Sequence, residues 1–139
     1  MERVHILLAE DSDAAVRLLT ECFREVHLEH LLDIAQDGET ALAKARSAGH
    51  PHGSPCPDVF ILDLGLPRVD GVEVLRAFRA NEHCAHTPVI VFTSSVSPVD
   101  RAVAESMSGV YYYQKPLLFE ECLAVGHFVK GVLLRAAQA

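Results

Sequence analysis

The sequence predicts an α/β fold: a doubly wound, five-stranded parallel sheet with five helices, formed as one domain over residues 1–139. Two observations predict the sheet and a third the helices. Short apolar runs alternate with longer segments of helical period, the pattern of strands joined through helices. Most runs are continuously apolar rather than alternating, as strands covered on both faces are. Helix start signals stand where the helical periods begin. A chain of this length, 50% hydrophobic, is long enough for one real core and has no comfortable room for a second domain.

The elements follow in order. The first strand is Val4–Ala9; after it Ser12 can cap a helix whose apolar stripe is Val16, Leu19, Phe23 and Val26. The second strand covers residues 31–35. Residues 49–57, GHPHGSPCP, hold two glycines and three prolines and so form a surface loop, longer than a helix-to-strand connection needs. Val59–Leu62 is the third strand. Asp70 with Glu73 reads as a capping box for a helix carrying Val72, Leu75 and Phe78. The fourth strand is residues 89–92, and Ser97-Pro98 supplies an N-cap and an N1 proline for a helix with Val99, Val103 and Met107. In the fifth strand, residues 110–113, alternation sets Tyr112 on the face opposite Tyr111 and Tyr113. A last helix runs from residue 117 to about 136 with Phe119, Cys122, Leu123, Val129 and Leu133.

A net charge of −7 excludes a nucleic-acid surface, which needs clustered Lys and Arg, and turns attention to proteins or small molecules as partners. The first residues, MERVHILLAED, meet acids too soon for a signal peptide, and no apolar segment approaches a bilayer-spanning length, so a soluble cytoplasmic protein is expected. The cysteines at 22, 56, 84 and 122 form no C-x-x-C pair and are expected to be reduced, mostly buried thiols. Two runs place donor atoms at short spacing, His50-x-His52 with Cys56 and His83-Cys84-x-His86. Neither matches a metal motif, and both are read as solvated loop residues.

In an open parallel sheet, sites form outside the carboxyl ends of the strands. The first run ends in Glu10-Asp11, the third in Asp63, the fourth in Thr93-Ser94-Ser95, and the fifth is followed by Gln114-Lys115-Pro116. Two carboxylates about 4 Å apart repel by about 4 kcal/mol at an effective dielectric near 20, so three of them need cations or raised pKa values. Lys115 supplies one positive charge. A hard, oxygen-ligated divalent ion, held as magnesium is held, would supply the rest. An aspartate beside Mg²⁺, Lys and Thr is a place to receive a phosphoryl group.

These residues, Glu10-Asp11, Asp63 in L-D-L-G-L-P, Asp70-Gly71, Thr93 and Lys115-Pro116, occur in the order and spacing of the receiver domain of two-component response regulators, which the sequence resembles from Val4 through the last helix. The long loop before the third strand is similar to that of the small stand-alone regulators paired with phytochrome-type kinases. The resemblance implies a flavodoxin-like sheet of order 2-1-3-4-5 and a role in phosphorelay signal transduction. Asp63 would take phosphate from a sensor histidine kinase or histidine phosphotransfer protein and become a 4-aspartylphosphate. Asp11, Asp63 and the Gly65 carbonyl would ligate Mg²⁺, with Glu10 acting nearby through water. Lys115 would pair with the phosphoryl group, Thr93 would move its hydroxyl onto it, and Tyr112 holds the aromatic switch position. The Lys115-Pro116 bond would be cis.

Two departures accompany the resemblance: Glu10 is one methylene longer than the aspartate often found there, and residues 106–110, SMSGV, lack the Gly-Ala pair often seen before the last strand. The implied protein is a switch rather than an enzyme, at most a weak autophosphatase, with no appended output domain. Its output would come from the fourth helix, fifth strand and fifth helix. The last helix carries Phe128, Val129, Val132, Leu133 and Leu134, more apolar residues than one buried face needs, which predicts a homodimer or a docked downstream protein. Kinase specificity would sit on the first helix, including Ala14, Ala15 and Leu18. One alternative is a receiver-like scaffold that never receives phosphate. The other is an aspartyl-phosphate hydrolase of the haloacid-dehalogenase type, which would expect D-x-D where this chain has Asp63-Leu64-Gly65.

Overall fold

A computed structural model describes residues 3–94, 97–116 and 121–138. Five parallel strands, β1 (Val4–Ala9), β2 (His30–Ala35), β3 (Val59–Leu62), β4 (Val89–Thr93) and β5 (Val110–Gln114), form one sheet in the order β2-β1-β3-β4-β5. The helices are α1 (Asp13–Glu25), α2 (Gly38–Ser47), α3 (Gly71–Ala80), α4 (Pro98–Glu105) and α5 (Cys122–Ala137). The predicted architecture and strand order are therefore observed. The expected start of the last helix at residues 117–119 and the serine at 95 lie outside the described residues.

Period-2 alternation divides the sheet's side chains between two cores. On one face Leu7, Ala9, Phe60, Leu62, Val89 and Val91 pack beneath α2, α3 and α4, through Ala41, Ala45, Val74, Leu75, Phe78 and Ala104. On the other, Ile6, Leu8, Val59, Ile61, Ile90 and Phe92 meet α1 and α5, through Leu19, Phe23, Val125, Val129 and Val132. All four residues of β3 are buried, which is why the central strand reads as an unbroken apolar run. The tyrosines divide as alternation predicts: Tyr112 packs on the first core, Tyr111 and Tyr113 on the second.

The helix caps fix where each connection ends. Ser12 accepts from the Ala15 N–H, Asp37 from Thr40, Asp70 from Val72 and Ser97 from Asp100, with Pro98 in the first turn of α4. A 3-10 turn, Glu82–Cys84, follows α3 and was not expected from the sequence. The four cysteines are paired, Cys22 with Cys122 and Cys56 with Cys84, which corrects the expectation of reduced thiols. The partners are 100 and 28 residues apart, so the fold and not local spacing brings them together. No described helix is long and apolar enough to cross a membrane.

Candidate functional site

The site is built at the carboxyl ends of four strands that lie side by side, β1, β3, β4 and β5. The backbone ladder continues one residue past β1 and β3: the Glu10 N–H donates to the Ala35 carbonyl at 2.9 Å and the Asp63 N–H to the Ala9 carbonyl at 3.0 Å. Past β5, the Lys115 N–H donates to the Thr93 carbonyl at 2.9 Å. Each functional residue is thus held by sheet hydrogen bonding while its side chain leaves the apolar layer. The chain then turns sharply after Asp63, and the Gly65 N–H donates to Asp63 Oδ1 at 2.9 Å.

Gly71 makes that turn possible. A Cβ on it would lie 2.3 Å from Leu64 Cα, so the first turn of α3 packs directly on the backbone beyond Asp63. Gly71→Ala is expected to lower stability by about 1–3 kcal/mol, because the obstacle is main chain and cannot rotate away. Urea denaturation of the variant checks this.

Glu10, Asp11 and Asp63 each offer a carboxylate oxygen, all within 4.8 Å of one another. Glu10 is 1% exposed and Asp63 8%, whereas Asp11 faces solvent. Lys115 reaches into the cluster, with Nζ 2.8 Å from Asp63 Oδ2 and in contact with Glu10 Oε1. Its ammonium also sits 6.0 Å from the centroid of the Phe92 ring, which floors that side of the site. The second Glu10 oxygen, Oε2, accepts from the Ser12 N–H at 3.1 Å.

The same burial has opposite outcomes for the two inner acids. Burial raises the Glu10 pKa above the usual carboxylate value, and the Lys115 ammonium and Ser12 N–H offset this only in part. For Asp63, burial acts in the same upward direction, but the hydrogen bonds from Lys115 and the Gly65 N–H outweigh it, with help from Thr93, and the pKa is lowered. Burial alone would lower the Lys115 pKa; its two carboxylate partners raise it instead. At neutral pH Asp63 is an ionised carboxylate, oriented by these hydrogen bonds, beside a fixed positive charge.

Thr93 is 1% exposed at the end of β4, beside Gln114 in the register with β5. Tyr112 is half-buried on β5, two residues along the strand from Gln114, with the Arg101 guanidinium 4.9 Å from its ring centroid. Arg101, Tyr112, Lys115 and Pro116 line one open cavity of about 550 Å³, so the exposed rim of α4 and β5 connects with the site's lysine. Every predicted carboxylate, with Lys115, is brought together. Gly65 contributes its N–H to Asp63.

Three features were not anticipated. Glu10 contacts Lys115 directly, Phe92 lies under the ammonium, and Arg101 covers Tyr112. The Lys115-Pro116 peptide is trans, as are all peptide bonds among the described residues, which corrects the expected cis bond. An X-Pro bond favours trans by about 0.5–1 kcal/mol unless its surroundings select otherwise.

The donor set suits a hard divalent cation: three carboxylates, no sulfur or imidazole, and a net negative charge that one lysine does not cancel.

Comparison with known proteins agrees with this geometry. The family model described as the response regulator receiver domain matches residues 6–125. Response regulator Rcp1 of Synechocystis sp. is 41% identical over 90 residues, 65% of this chain and 61% of that protein. Transcriptional regulatory protein TrcR of Mycobacterium tuberculosis is 33% identical over 135 residues, 96% of this chain and 47% of its own length. The chain thus spans less than two thirds of these curated relatives. Among solved structures, the Mn²⁺-bound form of Rcp1 superposes with a TM-score of 0.81 at 32% identity, covering 94% of each chain. The phosphorylated cyanobacterial phytochrome response regulator RcpA gives 0.82 at 28% identity, covering 95% of each. Receiver domains bind Mg²⁺ or Mn²⁺ at an acidic site, interact with histidine kinases and act in general as regulators rather than enzymes. The matched residues, the sheet order and the acid cluster with its lysine place this chain in the response regulator receiver domain family of two-component signalling.

Proposed function

We propose that residues 1–139 act as a single receiver domain, a cytoplasmic signalling switch that accepts a phosphoryl group on Asp63 from a sensor histidine kinase or histidine phosphotransfer protein. The observation that carries this reading is the ion pair of Lys115 with a buried, ionised Asp63 inside a three-carboxylate cluster. Asp11, Asp63 and the Gly65 carbonyl would hold Mg²⁺, with Glu10 beside it. When bound, the metal neutralises charge on the transferring phosphoryl group.

The chain's own residues supply the remainder. An Asp63 oxygen attacks phosphorus in line as the phosphorus–nitrogen bond to the donor histidine breaks, and the imidazole leaves as the neutral group by taking a proton. Lys115 exchanges its Asp63 carboxylate contact for the new phosphoryl oxygens. Thr93 turns its hydroxyl toward the same oxygens, and Tyr112 follows into the space beside α4, against Arg101. The surface of α4, β5 and α5 then presents a changed face to a downstream protein or a second copy. Val99 is 71% exposed and Leu123 51%, so apolar side chains are available there. Hydrolysis of its own aspartyl phosphate is the most enzymatic step this site would perform.

Acetyl phosphate with Mg²⁺, followed by intact mass, tests the reading. One phosphoryl adduct is expected on the wild type and none on Asp63→Asn; an unmodified wild-type chain would leave the non-phosphorylated scaffold as the better account.

The unequal pKa shifts give a second expectation. On acidification Glu10 is neutralised at higher pH than Asp63, so Mg²⁺ affinity weakens while Asp63 is still ionised. Glu10→Gln removes that upper limb of the profile and leaves a lower one. Calorimetric Mg²⁺ titrations across the acid range measure both limbs.

A further inference from the structure

The two His/Cys runs that look unrelated in the sequence meet in space at the opposite pole of the sheet from Asp63. Cys56 Sγ is bonded to Cys84 and lies 3.2 Å from the His83 carbonyl oxygen, and the His50 and His83 ring centroids are 4.2 Å apart. Gly49, at φ +79°, lets the chain pass through the cluster: a Cβ there would stand 2.7 Å from His83 Cβ, 2.8 Å from Cys56 Sγ and 3.4 Å from Cys84 Sγ. The two sulfurs and the two neighbouring imidazole rings are thus gathered around Gly49, where rotation of the side chains would be needed to bring all four donor atoms to one point.

The loops that carry them are fixed by buried polar anchors. The Asn81 side-chain amide donates to the Ala45 and Ala48 carbonyls at 3.0 and 2.8 Å, while its oxygen accepts from the His83 N–H at 3.1 Å. The Thr87 hydroxyl donates to the Pro57 carbonyl at 3.0 Å. Access is open, because Cys56, His83 and Cys84 line a cavity of about 470 Å³ that reaches the surface.

We propose that His50, Cys56, His83 and Cys84 form a second cation site, for a thiophilic divalent ion of the Zn²⁺ class, that becomes available when the Cys56–Cys84 bond is reduced. In the oxidised chain the sulfurs bind each other. A dithiol reductant supplies two electrons and two protons and is itself oxidised to its disulfide, leaving two thiols. Each thiol gives up its proton as its thiolate ligates the metal, and each neutral imidazole donates one nitrogen lone pair, completing a Cys₂His₂ tetrahedron. Zinc–sulfur bonds of about 2.3 Å set the sulfurs about 3.8 Å apart in such a tetrahedron, which side-chain rotation at Cys56 and Cys84 can supply. The acid cluster at the other pole is all oxygen and suits a different class of ion, so the two sites do not compete.

Cobalt is the probe, since a thiolate–Co²⁺ charge-transfer band reports sulfur ligation and oxygen ligands at Asp63 give none. The full chain, reduced with a phosphine and freed of it without air, is titrated with Co²⁺. A band with one-to-one stoichiometry is expected for the reduced wild type and for Cys22→Ala/Cys122→Ala, absent when the chain is left oxidised, and displaced by Zn²⁺. Cys56→Ser should abolish it, and His50→Ala and His83→Ala should each weaken binding at least about tenfold. Zn²⁺ should also raise the melting temperature of the reduced wild type and not that of His83→Ala, a readout independent of the band. A reduced chain without the band, a band that persists in Cys56→Ser, or binding that neither histidine variant weakens overturns the proposal.

Discussion

Lys115→Met is expected to lower stability by about 3–5 kcal/mol at neutral pH in chelator, with much of that loss restored by Mg²⁺. The side chain is 15% exposed and its partners Glu10 and Asp63 only 1% and 10%, so this is a buried ion triad and not a surface bridge. Removing one partner of such a set strands the remaining charges, which carries the penalty of a broken buried pair. Mg²⁺ held by the folded cluster, as proposed for this site, would recover stability by mass action. The pH dependence follows from the signs. In the wild type the folded Asp63 pKa is lowered, so its contribution is present above the unfolded carboxylate value and is lost as pH falls through the folded one. Glu10 is raised, so its contribution is full below the unfolded value and is lost as pH rises through the folded one. Without Lys115, burial governs both acids and both follow the Glu10 pattern. The variant should therefore gain stability on acidification where the wild type loses its Asp63 term, and the two curves should converge at low pH. Urea denaturation across pH, with and without Mg²⁺, measures this; equal midpoints for both proteins in chelator at neutral pH would mean that the triad contributes nothing to folding.

The triad also explains what a receiver gains from lysine rather than metal alone. Without any metal, Lys115, together with the Gly65 N–H, holds the Asp63 pKa down against the burial that raises it. Lys115 is attached to β5, whose Tyr112 faces α4, so any exchange of the ammonium from carboxylate to phosphoryl oxygens pulls on the surface proposed for output. The acid cluster and the output face are thus linked by a covalent run of four residues, 112–115.

The sheet was legible because burial on both faces leaves a plain record: Val4–Ala9 and Val59–Leu62 are observed with the ends expected of them, and the other three strands differ by one residue at one end. Helix α2 left almost no record. Its buried residues are Gly38, Ala41 and Ala45, too small to make a hydrophobic stripe, because the helix lies close against the sheet and α3. The candidate site was legible as a set, since strand ends in a parallel sheet share one edge and Glu10, Asp63 and Lys115 all end strands. The contact between Glu10 and Lys115 was not, because it depends on how far the lysine side chain reaches across β4 and β3. The cysteine pairs were invisible for a related reason: Cys22 and Cys122 meet only because α1 packs on α5, and Cys56 and Cys84 only because the long loop folds under β3 and β4.

Reduction of those pairs is expected to be the other large effect. A cross-link stabilises mainly by restricting the unfolded chain, by typically about 2–4 kcal/mol each and more for longer loops, so the 100-residue span between Cys22 and Cys122 should count for more than the 28-residue span between Cys56 and Cys84. Neither bond is needed to form the sheet, which rests on two continuous apolar cores, so the reduced chain should keep its secondary structure while its urea midpoint falls. Its unfolded state, no longer tied into loops, exposes more surface, so the dependence of stability on urea should steepen as well. Cys56→Ser separates the two bonds: reductant should still destabilise this variant, through the long loop alone. If reductant leaves both midpoint and slope of the wild type unchanged, the cysteines are unpaired in solution. The Co²⁺ titration would then give the same band with and without the reducing step, so the two experiments check each other on one sample.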